Sequence, residues 1–222
     1  MIQEKFNYVP IQRIDGENQR LYETPAGDRV PSVTTILSAT KDDSGLKEWR
    51  NRVGHAKATE ITVTAGNRGT RLHKYIERYI EEGEWPEPGS NPYAKQANSM
   101  AKLIFDNGMK NLTAIYGSEV KLYFPQIYAG TTDLVADYLG NLSICDFKQS
   151  NKLKKEEWVL DYKLQIVSYA EAHNEVSGTN IREGHIFMST QNLEYQQFDV
   201  WPDEYDFYKK QWWERCEQYY IK

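Results

Sequence analysis

Residues 130–148, Gly-Thr-Thr-Asp-Leu-Val-Ala-Asp-Tyr-Leu-Gly-Asn-Leu-Ser-Ile-Cys-Asp-Phe-Lys, constrain the fold of this chain more than any other stretch. Two β-rich runs flank Gly140-Asn141, a two-residue turn signal, and together predict a tight β-hairpin. With Leu139 facing Leu142 across the turn, Asp137 opposes Ile144, Val135 opposes Asp146 and Asp133 opposes Lys148. Side chains on a strand alternate with a period of two, so these residues share one face. Two carboxylates and a lysine therefore meet through register alone. The residues admit two readings. One is a surface hairpin with a cross-strand Asp-Lys pair, stabilising by roughly 0.2–1 kcal/mol. The other is a divalent-metal site with a lysine aimed at it, because charges at half-buried positions are costly without a partner. Cys145 and Phe147 fall on the opposite face, which places Cys145 in the core.

The rest of the chain supplies the surroundings. Residues 19–31 read as a short hairpin, and Ser32 is a candidate N-cap for a helix over 33–39. A second helix carries Leu46, Trp49, Val53 and Ala56, while the β-branched run at 61–64 fits helix or strand. Residues 66–70 lead into a helix over 71–82 whose apolar stripe is Leu72, Tyr75, Ile76, Tyr79 and Ile80. His73 and Glu77 lie four apart on one face near it, a spacing that an exposed ion pair explains equally well. Residues 84–92, with three prolines, are a loop. A helical pattern follows over 93–112, and 118–124 alternates as a half-buried strand with Val120, Leu122 and Phe124 inward. After the hairpin come a helix over 156–174, strands over 181–189 and 194–200, and a final aromatic-rich helix. This order predicts a mixed α/β sheet with a helical crossover between its third and fourth strands.

Composition narrows the classes. With 222 residues, the chain has room for one sizeable core, and no apolar run approaches a membrane span. The first ten residues carry no basic-then-apolar signal pattern, and two cysteines are too few for a disulfide framework or a Cys-ligated iron–sulfur cluster. A reducing cytoplasm is the expected compartment. The net charge of −5 argues at first sight against a nucleic-acid partner. Its distribution does not: residues 41–78 hold nine Lys or Arg against five acids, so a basic channel fits within an acidic protein. A solvated helix face explains any single one of those charges as well.

Taken in order, Gly69-x-x-x-His73, Gly130-x-x-Asp133, Asp146-Phe147-Lys148 and Gln165-x-x-x-Tyr169 resemble the RecB-like branch of the PD-(D/E)xK nucleases, and within it the phage and mitochondrial genome maintenance exonucleases. Residues 31–37 (Pro-Ser-Val-Thr-Thr-Ile-Leu), Trp49-Arg50 and 68–73 (Arg-Gly-Thr-Arg-Leu-His) are similar to that subgroup's N-terminal half. The likeness covers roughly residues 30–190. It implies a restriction-endonuclease-like mixed central sheet flanked by helices, with an N-terminal helical cap. One nuclease domain would span 1–222, with hairpin and cap at 1–65, core at 66–200 and a C-terminal helix at 201–222.

The resemblance also implies chemistry: Mg²⁺- or Mn²⁺-dependent hydrolysis of DNA by one or two ions, from single-stranded ends, in a host cytoplasm if the gene is a phage's. Asp133, Asp146 and the backbone carbonyl of Phe147 would hold the metal, with His73 as a further ligand that suits Mn²⁺. Asp133, Asp146 and Lys148 form the catalytic set; Lys148 would orient or deprotonate water, or stabilise developing charge. Gln165 and Tyr169 would contact DNA beside the scissile phosphate, although the residues alone fit a helix packed on the sheet with Tyr169 in the core. Arg50, Arg52, Arg68 and Arg71 are the basic DNA contacts, with Lys47, Lys57 and Trp49 nearby, and Glu77 and Glu119 would stand behind the ligands. The alternatives are a structure-specific or restriction-type endonuclease and a catalytically silent nucleic-acid-binding module on the same fold. A zinc hydrolase built on His73 and Glu77 lacks the paired-His spacing.

Overall fold

The computed structural model describes residues 1–16 and 19–221. Glu17, Asn18 and Lys222, the last residue of the expected C-terminal helix, lie outside the described residues.

Three short strands, β1 (Gln12–Asp15), β2 (Arg20–Glu23) and β3 (Arg29–Pro31), form a small antiparallel sheet. The sequence shows the β2–β3 hairpin, whereas β1 carries no pattern that separates it from a loop. Helix α1 (Val33–Thr40) follows, and the Ser32 hydroxyl caps it by accepting from Thr35 N at 3.0 Å. Gly54, at φ +90°, separates α2 (Ser44–Val53) from α3 (His55–Glu82). Helix α3 runs unbroken through 61–64 and through the expected boundary at 65/66. Gly66 and Gly69 each cost about 1 kcal/mol in a helix interior, and the buried stripe of Ala58, Leu72, Ile76 and Ile80 offsets this. Helix α4 (Pro92–Asn107) leads to β4 (Leu112–Phe124), β5 (Tyr128–Tyr138) and β6 (Asn141–Ser150). Helix α5 (Leu160–Ser177), β7 (Gly184–Thr190), β8 (Tyr195–Val200) and α6 (Tyr205–Ile221) complete the chain.

The main sheet has the order β4-β5-β6-β7-β8. Its neighbours are antiparallel except β6 and β7, which run parallel because α5 crosses over between them. Helices cover both faces. Val135, Ile144 and Ile186 pack with Leu164 and Val167 of α5 and Trp212 of α6. Leu134, Cys145 and Phe147 pack with Leu72 and Ile76 of α3 and Met100 and Ile104 of α4. The expected alternation of the hairpin, with Cys145 inward, is therefore present. Helix α1 departs from expectation: Val33, Ile36 and Leu37 are buried in the first of these cores, so only α2 and the start of α3 stand outside it. Helix α2 buries none of its residues.

The hairpin turn is corrected by one position. Leu139-Gly140, at φ +51° and +92°, forms the turn, and Tyr138 pairs with Asn141. The register shifts by two residues, which preserves the faces and moves Asp133 away from Lys148. Tertiary contacts select this turn: Tyr138 is buried against His185, and Leu139 N–H donates to Asn111 O at 3.0 Å.

Candidate active site at a fork in the sheet

The β5–β6 ladder stops at Leu134↔Cys145, after which β6 pairs only with β7. Asp133 and Asp146 are the next residues on the two strands. At this fork the side chain of Asp133 replaces ladder backbone: its Oδ2 accepts from Phe147 N–H at 2.6 Å. Its Oδ1 faces His73 Nδ1 at 3.3 Å, brought there by α3. Glu119 comes from β4, where its φ of +51° turns it out of the regular pleat. Ligand atoms of His73, Glu119 and Asp133 all lie within 4.8 Å of one another.

Asp146, 2 % exposed, faces Lys148 on its own strand, with Nζ and Oδ2 2.5 Å apart. Lys148 Nζ also sits 5.1 Å from the centre of the Tyr162 ring.

The electrostatics follow from burial opposed by neighbours. Burial would lower the pKa of His73, but the Asp133 carboxylate outweighs it and raises it to about 9. Burial would raise Asp133, and His73 holds it below its ordinary value. Asp146 goes up to about 6 through burial, opposed by Lys148. Burial opposes the charge on Lys148, yet Asp146 and Asp133 raise its pKa above the ordinary lysine value. Partial desolvation and the nearby Asp133 push Glu119 up to about 7. In the metal-free protein Asp146 and Asp133 thus favour the ammonium form of Lys148.

His73, Glu77 and Glu119 line a cleft of about 750 Å³ together with Gly69, Arg13 and Arg20. The fold clusters some of the expected groups and not others. Glu119, placed behind the ligands by the sequence, is among the three clustered groups, whereas Asp146 is engaged by Lys148 and stands outside that cluster. Phe147 contributes its N–H to Asp133. Tyr169, expected on DNA, is 2 % exposed, and its ring packs so closely on Gly130 that a Cβ there would lie 2.7 Å from it. Tyr169 thus lies in the core, the placement the residues alone also fit; its hydroxyl accepts from Gln165 Nε2 at 3.2 Å, and Gln165 is half-buried. Arg50, Arg52 and Arg71 are exposed, on α2 and α3. Arg68 is buried and points away from this cleft into contacts with Gln149, Asn151 and Gln191. Sequence reasoning missed Tyr162, although it shares the helical face of Gln165 and Tyr169, and missed Arg13 and Arg20, which carry no motif.

The mixed sheet, with helices on both faces, carries an acid-lysine fork between its central strands, and the sequence relatives of the chain are proteins named as exonucleases. The chain is similar to mitochondrial genome maintenance exonuclease 1 of Xenopus tropicalis, at 28% identity over 192 residues that cover 78% of this chain and 53% of that protein. It is 29% identical to the Mus musculus protein of that name over 156 residues, covering 65% of this chain and 44% of the relative. The Homo sapiens protein gives 28% over 156 residues with the same coverage. The chain spans about half the length of the curated relatives it matches. No protein-family model matches it. A solved structure from Eubacterium rectale has a TM-score of 0.47 at 16% identity, covering 70% of this chain and 64% of that one.

Proposed function

We propose that this chain is a metal-dependent DNA exonuclease that acts from single-stranded ends. The observation that carries the reading is the fork, where His73, Glu119 and Asp133 present ligand atoms within 4.8 Å beside the buried pair Asp146 and Lys148. The donor set fits a divalent cation: the two carboxylates and the imidazole are hard-to-borderline ligands suited to Mg²⁺ or Mn²⁺. Such a cation supplies charge neutralisation at a phosphate and a water of lowered pKa.

The chain's own groups do the rest. Phe147 N–H and His73 hold the Asp133 carboxylate in one orientation. Lys148, kept protonated by Asp146, offers positive charge to the oxygens of a pentacoordinate phosphorus. Tyr169 acts from the core, positioning Gln165 toward a strand. Arg50 and Arg52 lie exposed on α2, a helix without core residues, and would guide a flexible strand toward the cleft.

The test compares end-labelled linear and covalently closed circular single-stranded DNA in Mg²⁺, Mn²⁺ and EDTA. Linear strands should be degraded with either metal and spared in EDTA, circles should persist, and Asp133→Asn should abolish cleavage without unfolding the protein. Rapid cutting of circles would replace this reading with the endonuclease one, and near-wild-type activity of Asp133→Asn would remove the fork from the chemistry.

A further inference from the structure

Arg68 belongs to a different cavity from the metal candidates. It is 6 % exposed, and its guanidinium donates to three side-chain amide oxygens: Nε to Gln149 Oε1 at 2.7 Å, Nη1 to Gln191 Oε1 at 3.1 Å, and Nη2 to Asn151 Oδ1. All three acceptors are neutral, and among the described residues no acid forms an ion pair with it. Burial lowers its pKa with no acid to offset the effect. A buried charge without a counter-charge is costly, so the protein retains here a group that an anion would satisfy.

The cavity beside Arg68 has the chemistry for one. It measures about 330 Å³, with Arg68, Asn151 and Gln191 on one side and Glu60, Ile61 and Thr64 of α3 on the other. A guanidinium carries five N–H donors, of which these bonds use three. The amide oxygens of Asn151 and Gln191 are engaged by Arg68, which leaves their NH₂ groups as further donors. Glu60, on the cavity's rim, makes its ion pair with the exposed Lys57 at 2.9 Å and none with Arg68. Planar, fork-like donors next to amide NH₂ groups match the tetrahedral oxygens of a phosphate.

We propose that this cavity is a phosphate subsite, distinct from the fork, that binds a second phosphate group of the nucleic-acid strand. The identity of the strand rests on the nuclease reading; the phosphate chemistry does not. Gln149 follows Lys148 on β6, and its Nε2 donates to Ala65 O on α3, so the subsite is built on the strand that carries Asp146 and Lys148.

The experiment titrates inorganic phosphate against the metal-free protein in EDTA and reads the melting temperature. Wild type should be stabilised with saturation. Thr64→Glu, a change at an exposed position that supplies the missing counter-charge, should melt higher without phosphate and bind it at least tenfold more weakly. Arg68→Lys, which keeps the charge and loses the fork, should also bind more weakly. A dinucleotide with a terminal phosphate and one with only an internal diester tell a strand end from a passing backbone. No phosphate response in wild type, or an equal response in Thr64→Glu, overturns the subsite. Cleavage of linear DNA is assayed separately: intact cleavage without phosphate binding rejects the subsite alone, and phosphate binding without cleavage rejects the nuclease alone.

Discussion

At the scale of single residues, the fork is a set of groups whose protonation states depend on one another. In the metal-free protein His73 holds its proton up to about pH 9 because Asp133 faces it, and Glu119 keeps a proton up to about pH 7 through partial desolvation and the nearby Asp133. A cation needs the imidazole neutral and the carboxylate ionised, so it competes with protons at both. Affinity for Mn²⁺ should therefore rise by at least tenfold between pH 6 and pH 8. Calorimetry in buffers of different ionisation enthalpy should record proton release on binding. A pH-independent affinity would show that these groups do not hold the metal. Lys148 illustrates what residue type alone leaves open: the sequence offers a base or a charge donor, and the structure adds its 2.5 Å contact with Asp146.

At the scale of elements, the hairpin shows how far pattern carries and where it stops. The alternation of residues 130–148 correctly assigns each side chain to a face, because burial tolerates only even shifts of register. It misplaces the turn, since Gly140-Asn141 is the stronger local signal and the chain instead bends at Leu139-Gly140. Leu139 is 64 % exposed and sits at φ +51°, a conformation that costs an L-residue with a bulky side chain roughly 1–2 kcal/mol. Leu139→Asn should therefore stabilise the protein by about 1 kcal/mol, read as a higher urea midpoint at unchanged slope. An unchanged or lower midpoint would mean that the leucine makes a compensating contact. On the other side of the site, Gly130→Ala should cost about 1–3 kcal/mol, because the new Cβ meets the buried Tyr169 ring at 2.7 Å. Full stability in that variant would rule out the tight packing of α5 on β5.

At the scale of the whole molecule, the N-terminal segment is tied to the far side of the sheet through a buried histidine. His173 is inaccessible to solvent, accepts or donates at both ring nitrogens to Thr179 and Tyr8, and meets the Phe6 ring at 4.7 Å. Burial pulls its pKa down to about 4, below the ordinary value near 6.5. The unfolded chain then binds the extra proton first, so this contribution to stability is complete above pH 6.5 and is lost as pH falls toward 4. The loss amounts to at most about 3 kcal/mol. Urea midpoints across that range should fall less steeply for His173→Gln than for wild type; identical slopes would exclude His173 as the cause.

The sequence by itself determined the mixed α/β class, the crossover helix between β6 and β7, the faces of the central hairpin, and the residue types that gather at its end. These depend on periodicity, capping and turn chemistry, which act within a few residues. The tertiary structure decided the rest. It parted β5 from β6 at Asp133 and brought His73 across from α3. It turned the exposed Glu119 toward His73 and Asp133 through a left-handed backbone that no propensity signals, and it buried Tyr169 and Arg68 where motif and charge had suggested exposure. Those outcomes depend on which elements share a core, and on where a buried polar group finds its partner, in this chain across 123 residues between Arg68 and Gln191 and 165 between Tyr8 and His173.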